Sequence, residues 1–114
     1  MAVTKHKLVG MLQWMRPAYS TTELLFNERY LEPVFGTPDE HGNYTLVLGD
    51  RPNICFTAHT DTVHKQEGIQ TLKIEGDVVT SVTGSCLGAD CTTGLWLMLG
   101  MIEAGVEGSA FPSY

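Results

Sequence analysis

The sequence predicts a layered α/β domain. Three observations point there: helix-period apolar patterns near the start, short apolar runs separated by turn-rich breaks in the middle, and a late segment that is apolar nearly all round. Helices on both sides of a strand-rich middle are the pattern of such a layered fold.

Thr4 to Arg16 places Leu8, Met11, Leu12 and Met15 on one helix face, with Pro17 closing the segment because the residue before a proline avoids helical geometry. A second helix is expected to start at Ser20, with Glu23 in capping-box spacing, Leu24 and Leu31 on one face, and a stop at Glu32-Pro33. Asn43 to Leu48 and Asn53 to Ala58 read as strands around the break Gly49-Asp50-Arg51-Pro52. Ile54 to Ala58 has no polar alternation beyond Thr57, which predicts a strand covered on both faces. Ile69 to Glu75 and Val78 to Thr83 flank Gly76-Asp77, a two-residue hairpin signal, and their alternation suits a more exposed ribbon. Gly84 to Cys91 is expected to be a loop, and Thr92 to Ala104 a helix buried all round and stopped by Gly105. Gly108 to Tyr114 lacks periodicity and reads as irregular. Trp14 and Trp96 are expected in or near the core.

At 114 residues the chain is the size of one domain, long enough to bury roughly two-thirds of the surface its unfolded form exposes. A hydrophobic content of 43% with 18% charged residues is that of an ordinary globular protein. The formal charge of −6, with no basic run to offset it, argues against a nucleic-acid partner. Cys55, Cys86 and Cys91 are too few and oddly numbered for a disulfide framework. There is no charged-then-apolar leader, and no apolar run approaches the roughly 18 residues of a membrane span. A cytoplasmic setting is the expectation.

His59 and Asp61 follow directly on the expected buried strand, where ligands of α/β sheets sit. A strand sends residues i and i+2 to one side, and a metal-bound imidazole needs its second nitrogen held, often by a carboxylate. A His-x-Asp alone is also compatible with a surface hydrogen bond. Asp90 lies in a glycine-flanked stretch before the apolar helix, where a carboxylate is equally at home as a helix cap. A competing metal reading comes from His59 and His64, spaced H-x4-H, with Cys86 and Cys91, spaced C-x4-C, near structural-zinc spacing. Cys91 has no evident histidine partner and reads as packing. His64 otherwise reads as a loop residue, and His6 and His41 as surface histidines.

Taken together, Phe56-Thr57-Ala58-His59-Thr60-Asp61-Thr62, the hairpin, Gly88-Ala89-Asp90 and the apolar helix resemble the co-catalytic zinc exopeptidases and deacylases. That family includes the acetylornithine deacetylase, succinyl-diaminopimelate desuccinylase and tripeptidase enzymes and the zinc aminopeptidases. Asp39-Glu40-His41-Gly42-Asn43 is similar to the family's lead-in to its first core strand, so the likeness runs from about residue 20 to 105. It implies a three-layer helix-sheet-helix domain with a mixed sheet, of which residues 1–114 form the N-terminal portion, ending after the early strands. It also implies that His59 binds zinc, Asp61 orients it and Asp90 bridges two zinc ions. The substrate would be a peptide or an acylated amino acid. Cobalt or manganese would suit the same donors.

The family's paired glutamates and late histidine have no counterpart here. Glu103 and Glu107 are the only carboxylate side chains after Asp90; Glu103 reads as a surface charge, and Glu107, in a tail past Gly105, lacks the held geometry that general acid–base work needs. Two ligands fall short of the three that a catalytic zinc normally holds. Three readings follow. The chain is one piece of a metallopeptidase, truncated or split and completed by a second chain; or a catalytically inactive relative with a binding or structural role; or an α/β domain outside the family. A sheet ended early leaves an edge and an apolar face, which predicts self-association or a completing chain.

Overall fold

Backbone hydrogen bonds that a longer first helix would use internally are instead spent on a neighbouring loop, and this shapes the start of the chain. In the computed structural model, which describes residues 5–50, 54–106 and 108–113, the first helix α1 is Lys5–Leu12. Gln13 accepts a bond from the Gln70 N–H at 2.8 Å, and Arg16 exchanges bonds with Thr62. Trp14–Met15 therefore forms a short strand, β1, and the expected helix to Arg16 ends a turn early. His6 and Glu107 lie outside the residues whose side chains are described, as does the stretch Arg51-Pro52-Asn53.

α2 (Thr21–Tyr30) opens as expected at Ser20, whose Oγ accepts the Glu23 N–H at 3.1 Å. The Glu23 carboxylate returns to Tyr19 N–H at 2.8 Å, one residue earlier than in the standard capping box. Ser20→Ala is expected to lower stability by about 1 kcal/mol, read as a shift in the thermal melting midpoint. Leu24 and Leu31 do not share a face: Leu24 is exposed, while α2 stops at Tyr30 and Leu31 turns into the core at the junction. The buried side of α2 is Thr22, Glu23, Phe26 and Asn27, so it is largely polar. Pro33 does not stop α2. It sits in the first turn of α3 (Glu32–Phe35), where a missing N–H costs nothing.

β2 (Leu46–Leu48) and β3 (Cys55–His59) then follow. Among the described residues β3 is covered on one face only. Phe56 and Ala58 are half-buried and α4 packs on the strand, whereas Cys55, Thr57 and His59 are exposed; the expectation of a strand covered on both faces is corrected. β4 (Gly68–Ile69) pairs antiparallel with β1. β5 (Leu72–Glu75) and β6 (Val78–Ser81) make the ribbon at the expected turn but shorter than expected, because Ile69 pairs with β1 and the Gln70 N–H goes to Gln13; the turn is at Gly76, whose φ of 59° suits a glycine.

α4 (Ala89–Glu103) starts three residues ahead of the expected Thr92 and ends before Gly105, as expected. Its buried side is Thr92, Leu95, Met98 and Leu99. The opposite side is open, with Leu97 53% exposed, so the helix is not buried all round. An open groove of about 590 Å³ runs along Trp96, Leu97, Gly100 and Met101.

The largest departure is the last segment. Gly108–Ser113 is β7, the centre of the sheet β2-β7-β3, antiparallel to β2 and parallel to β3. The path β3, α4, β7 is thus a crossover returning a parallel strand beside the first. Gly-Ser-Ala-Phe-Pro-Ser carries no β-branched residue and includes a proline, so nothing local announces a strand. Flanking strands and α4 supply the pairing and the cover. Pro112 O accepts from Tyr44 N–H at 3.3 Å, which extends the β2 side of the sheet.

The core is Met11, Phe26, Leu31, Tyr44, Leu95 and Leu99, with Trp14 and Trp96 packed against it as expected. The chain is therefore a mixed helix–strand α/β protein with small sheets. No helix among the described residues is long and apolar enough to cross a membrane.

Candidate metal site

The alternation of β3 continues past its last residue. Thr60 and Thr62 turn inward and are almost fully buried, while His59 and Asp61 face the open side. The Thr60 hydroxyl donates to Glu23 Oε2 at 2.6 Å, and its carbonyl accepts from Arg16 Nε at 2.7 Å. Thr62 N–H donates to Arg16 O at 2.7 Å, and Arg16 N–H donates to Thr62 Oγ1 at 2.9 Å. With both threonines held from behind, His59 Nδ1 and Asp61 Oδ1 stand 3.6 Å apart, the ring 70% and the carboxylate 28% exposed. That separation is just beyond a direct hydrogen bond.

Arg16 is the hinge of this arrangement. It is fully buried, with its guanidinium 3.9 Å over the Phe26 ring. Its Nη1 donates to the carbonyls of Trp14 and Met11 at 3.3 and 3.4 Å, and its Nη2 to Thr92 Oγ1 of α4 at 2.9 Å. Burial pulls its pKa down to about 10, against the opposing pull of Cys91, Glu23, Asp61 and Tyr30, so the group remains charged at neutral pH.

His64 is buried and structural, not a free loop residue. Its Nε2 lies 2.6 Å from the Cys86 carbonyl, which can only accept, so in the neutral ring Nε2 carries the proton. Nδ1, 2.6 Å from Thr62 Oγ1, then accepts the hydroxyl proton. Gln70 donates to the same Cys86 carbonyl at 3.1 Å and accepts from the Ser81 hydroxyl at 2.8 Å, tying the ribbon to the loop. Both ring nitrogens of His64 are occupied, and Cys86 contributes its carbonyl while the residue itself is exposed. This geometry disfavours the structural-zinc reading of the two histidines and two cysteines.

Asp90 lies in the first turn of α4, not in a loop. Gly88, at φ 63°, holds the N-cap position and no side chain makes a capping bond, so the cap reading of Asp90 is not realised. Asp90 is exposed, at the end of the helix where a carboxylate is electrostatically favoured. Cys91, half-buried beside it, has its thiol pushed up by burial first and then by Asp61, which suits packing and not nucleophilic attack. His41 is exposed, 3.4 Å from Glu40, and Glu103 is exposed, both as expected.

His59, Asp61 and Asp90 are residue types that can ligate a borderline divalent cation: an exposed imidazole, a carboxylate 3.6 Å from its Nδ1, and an exposed carboxylate in the first turn of α4. The set is partial. No group of three or more His, Cys, Asp or Glu among the described residues is placed to hold a metal ion. Sequence reasoning missed the parts played by Arg16, Thr60 and Thr62, and those of Glu23 beyond its helix cap and of His64 beyond the zinc alternative. The one available signal was the small hydroxyl at every second position beside His59 and Asp61, which marks side chains that can enter a core if partners meet them. No family model, curated protein or solved structure matches the chain.

Proposed function

We propose that this chain contributes half of the metal site of a zinc exopeptidase or deacylase, hydrolysing a peptide or N-acyl amide bond, with His59 and Asp90 as ligands and Asp61 orienting His59. The observation that carries the reading is the His59–Asp61 pair, 3.6 Å apart on the open side of a strand end whose alternate residues are locked inward. A carboxylate behind an exposed imidazole is what a metal-bound histidine needs, since it fixes the ring plane and raises ligand basicity. When bound, the metal would polarise the scissile carbonyl and lower the pKa of its water.

The remaining ligands and the general base come from residues outside these 114, in the same larger enzyme or in a completing chain. Among the described residues one face of β3 is uncovered and β2 and β3 are edge strands, which suits such a partner or a second copy. The three-layer exopeptidase arrangement would then be completed by that partner, and the three free thiols suit a reducing cytoplasm. A second reading, a catalytically inactive module with a binding or structural role, draws its support from the absence of a third ligand among the described residues.

Calorimetric titration with zinc tests the proposal. The chain is expected to bind zinc, and His59→Ala and Asp90→Ala each to weaken binding about tenfold or more. Both side chains are exposed, so neither change should unfold the protein. Equal binding by the wild type and both variants would sink the assignment; cobalt and manganese serve as alternates.

A further inference from the structure

We propose that Arg16 is a positioning residue of this half-site, setting the spacing between the strand end that carries His59 and Asp61 and the helix turn that carries Asp90. The inference rests on the metal reading above. One guanidinium reaches both segments: Nε donates to the carbonyl of Thr60, which lies between His59 and Asp61, at 2.7 Å. Nη2 donates to the hydroxyl of Thr92, two residues beyond Asp90, at 2.9 Å. Nη1 anchors the group to the carbonyls of Trp14 and Met11, and the Phe26 ring closes one side at 3.9 Å.

The chemistry of the side chain matters here. A guanidinium holds its donors in a rigid planar fork, so bonds to two acceptors fix their separation and direction together. Apolar packing of α4 on β3, through Ala58 and Leu95, brings the segments near each other but is non-directional. A metal site tolerates little looseness, since ligands must be held within about half an ångström of the productive geometry. Arg16 supplies that direction from beneath, touching neither ligand. Thr62 N–H donating to Arg16 O, with Arg16 N–H donating to Thr62 Oγ1, holds the far side of Asp61 as well.

Arg16→Lys keeps the charge and loses the fork, and Thr92→Val removes one bond while keeping the shape. Thr92→Ser restores the hydroxyl and serves as the rescue. Two readouts are taken on the whole chain. In the metal-free protein, NMR follows amide shifts and contacts of residues 59–62 and 88–92. With cobalt(II) as probe, visible absorption follows affinity and ligand-field bands. Thr92→Val and Arg16→Lys are expected to shift both segments, weaken cobalt binding about tenfold and alter the bands, with Thr92→Ser close to wild type. Wild-type affinity and bands in Thr92→Val would overturn the inference and leave the metal reading standing. Metal-free changes confined to one segment would overturn it too. A wild type that binds cobalt no better than His59→Ala would overturn the metal reading and, with it, the inference.

Discussion

Arg16→Met is expected to lower the unfolding free energy by about 3–5 kcal/mol, the range for breaking a buried charge network by removing one partner. Methionine keeps an apolar stem of similar length and removes the guanidinium, so the loss reports the charge, its donors and its cation–π contact with Phe26. Removing them strips a charged donor from Thr60 O at 2.7 Å and another from Thr92 Oγ1 at 2.9 Å, and leaves the buried Glu23 carboxylate without the nearby cation. Each orphaned buried group costs on the order of 1–3 kcal/mol, so two or three reach the stated range. Urea denaturation measures it, with Ser20→Ala as the small-effect reference. The double change Arg16→Met with Glu23→Gln should cost less than the sum of the two, because neutralising the carboxylate removes part of the imbalance. A loss below about 1 kcal/mol for Arg16→Met would show that the network is incidental to the fold.

Most elements of this fold were legible where local pattern and tertiary role agree. Ser20 with Glu23 marks the start of α2, Gly76-Asp77 the ribbon turn, and Gly105 the end of α4. Legibility failed where a residue's partner is distant in sequence. Arg16 meets Thr60 and Thr92 across separations of 44 and 76 residues, and no periodicity records such a bond. The face of α2 was misjudged for the same reason: its buried stripe is polar because Glu23 serves Thr60, so apolar spacing pointed to Leu24 instead. β7 is the extreme case. Its residues have low strand propensity, and its place is decided by β2, β3 and the crossover through α4. The candidate site stood differently. His59, Asp61 and Asp90 were legible as residue types at a strand end and before a helix, yet what aims them is the buried set beneath.

Gly88 connects that buried set to the helix turn, and Gly88→Ala is expected to cost about 2–5 kcal/mol. Two independent penalties contribute. The residue sits at φ 63°, where a side chain with a Cβ loses about 1–2 kcal/mol. A Cβ there would also stand 2.6 Å from Thr62 Cγ2, 3.0 Å from Thr62 Cβ and 3.3 Å from His64 Cε1. Neither neighbour can yield freely, since Thr62 is bonded to Arg16 and His64, and His64 to the Cys86 carbonyl; overpacking of this kind costs about 1–3 kcal/mol. Gly76→Ala separates the two penalties. It has nearly the same φ, 59°, but nothing within 4 Å of the added carbon, so it should lose only the backbone part. Chemical denaturation of the pair should therefore show Gly88→Ala the more destabilised by about 1–3 kcal/mol. The consequence for the site follows from where the clash falls. Pushing Thr62 aside moves the residue next to Asp61, so Gly88→Ala should also weaken zinc binding while Gly76→Ala leaves it unchanged. If the two variants were equally stable, the approach of the helix start to Thr62 would be soft, and the tight packing beneath His59 and Asp61 would have to be abandoned as the reason a glycine stands before Ala89-Asp90.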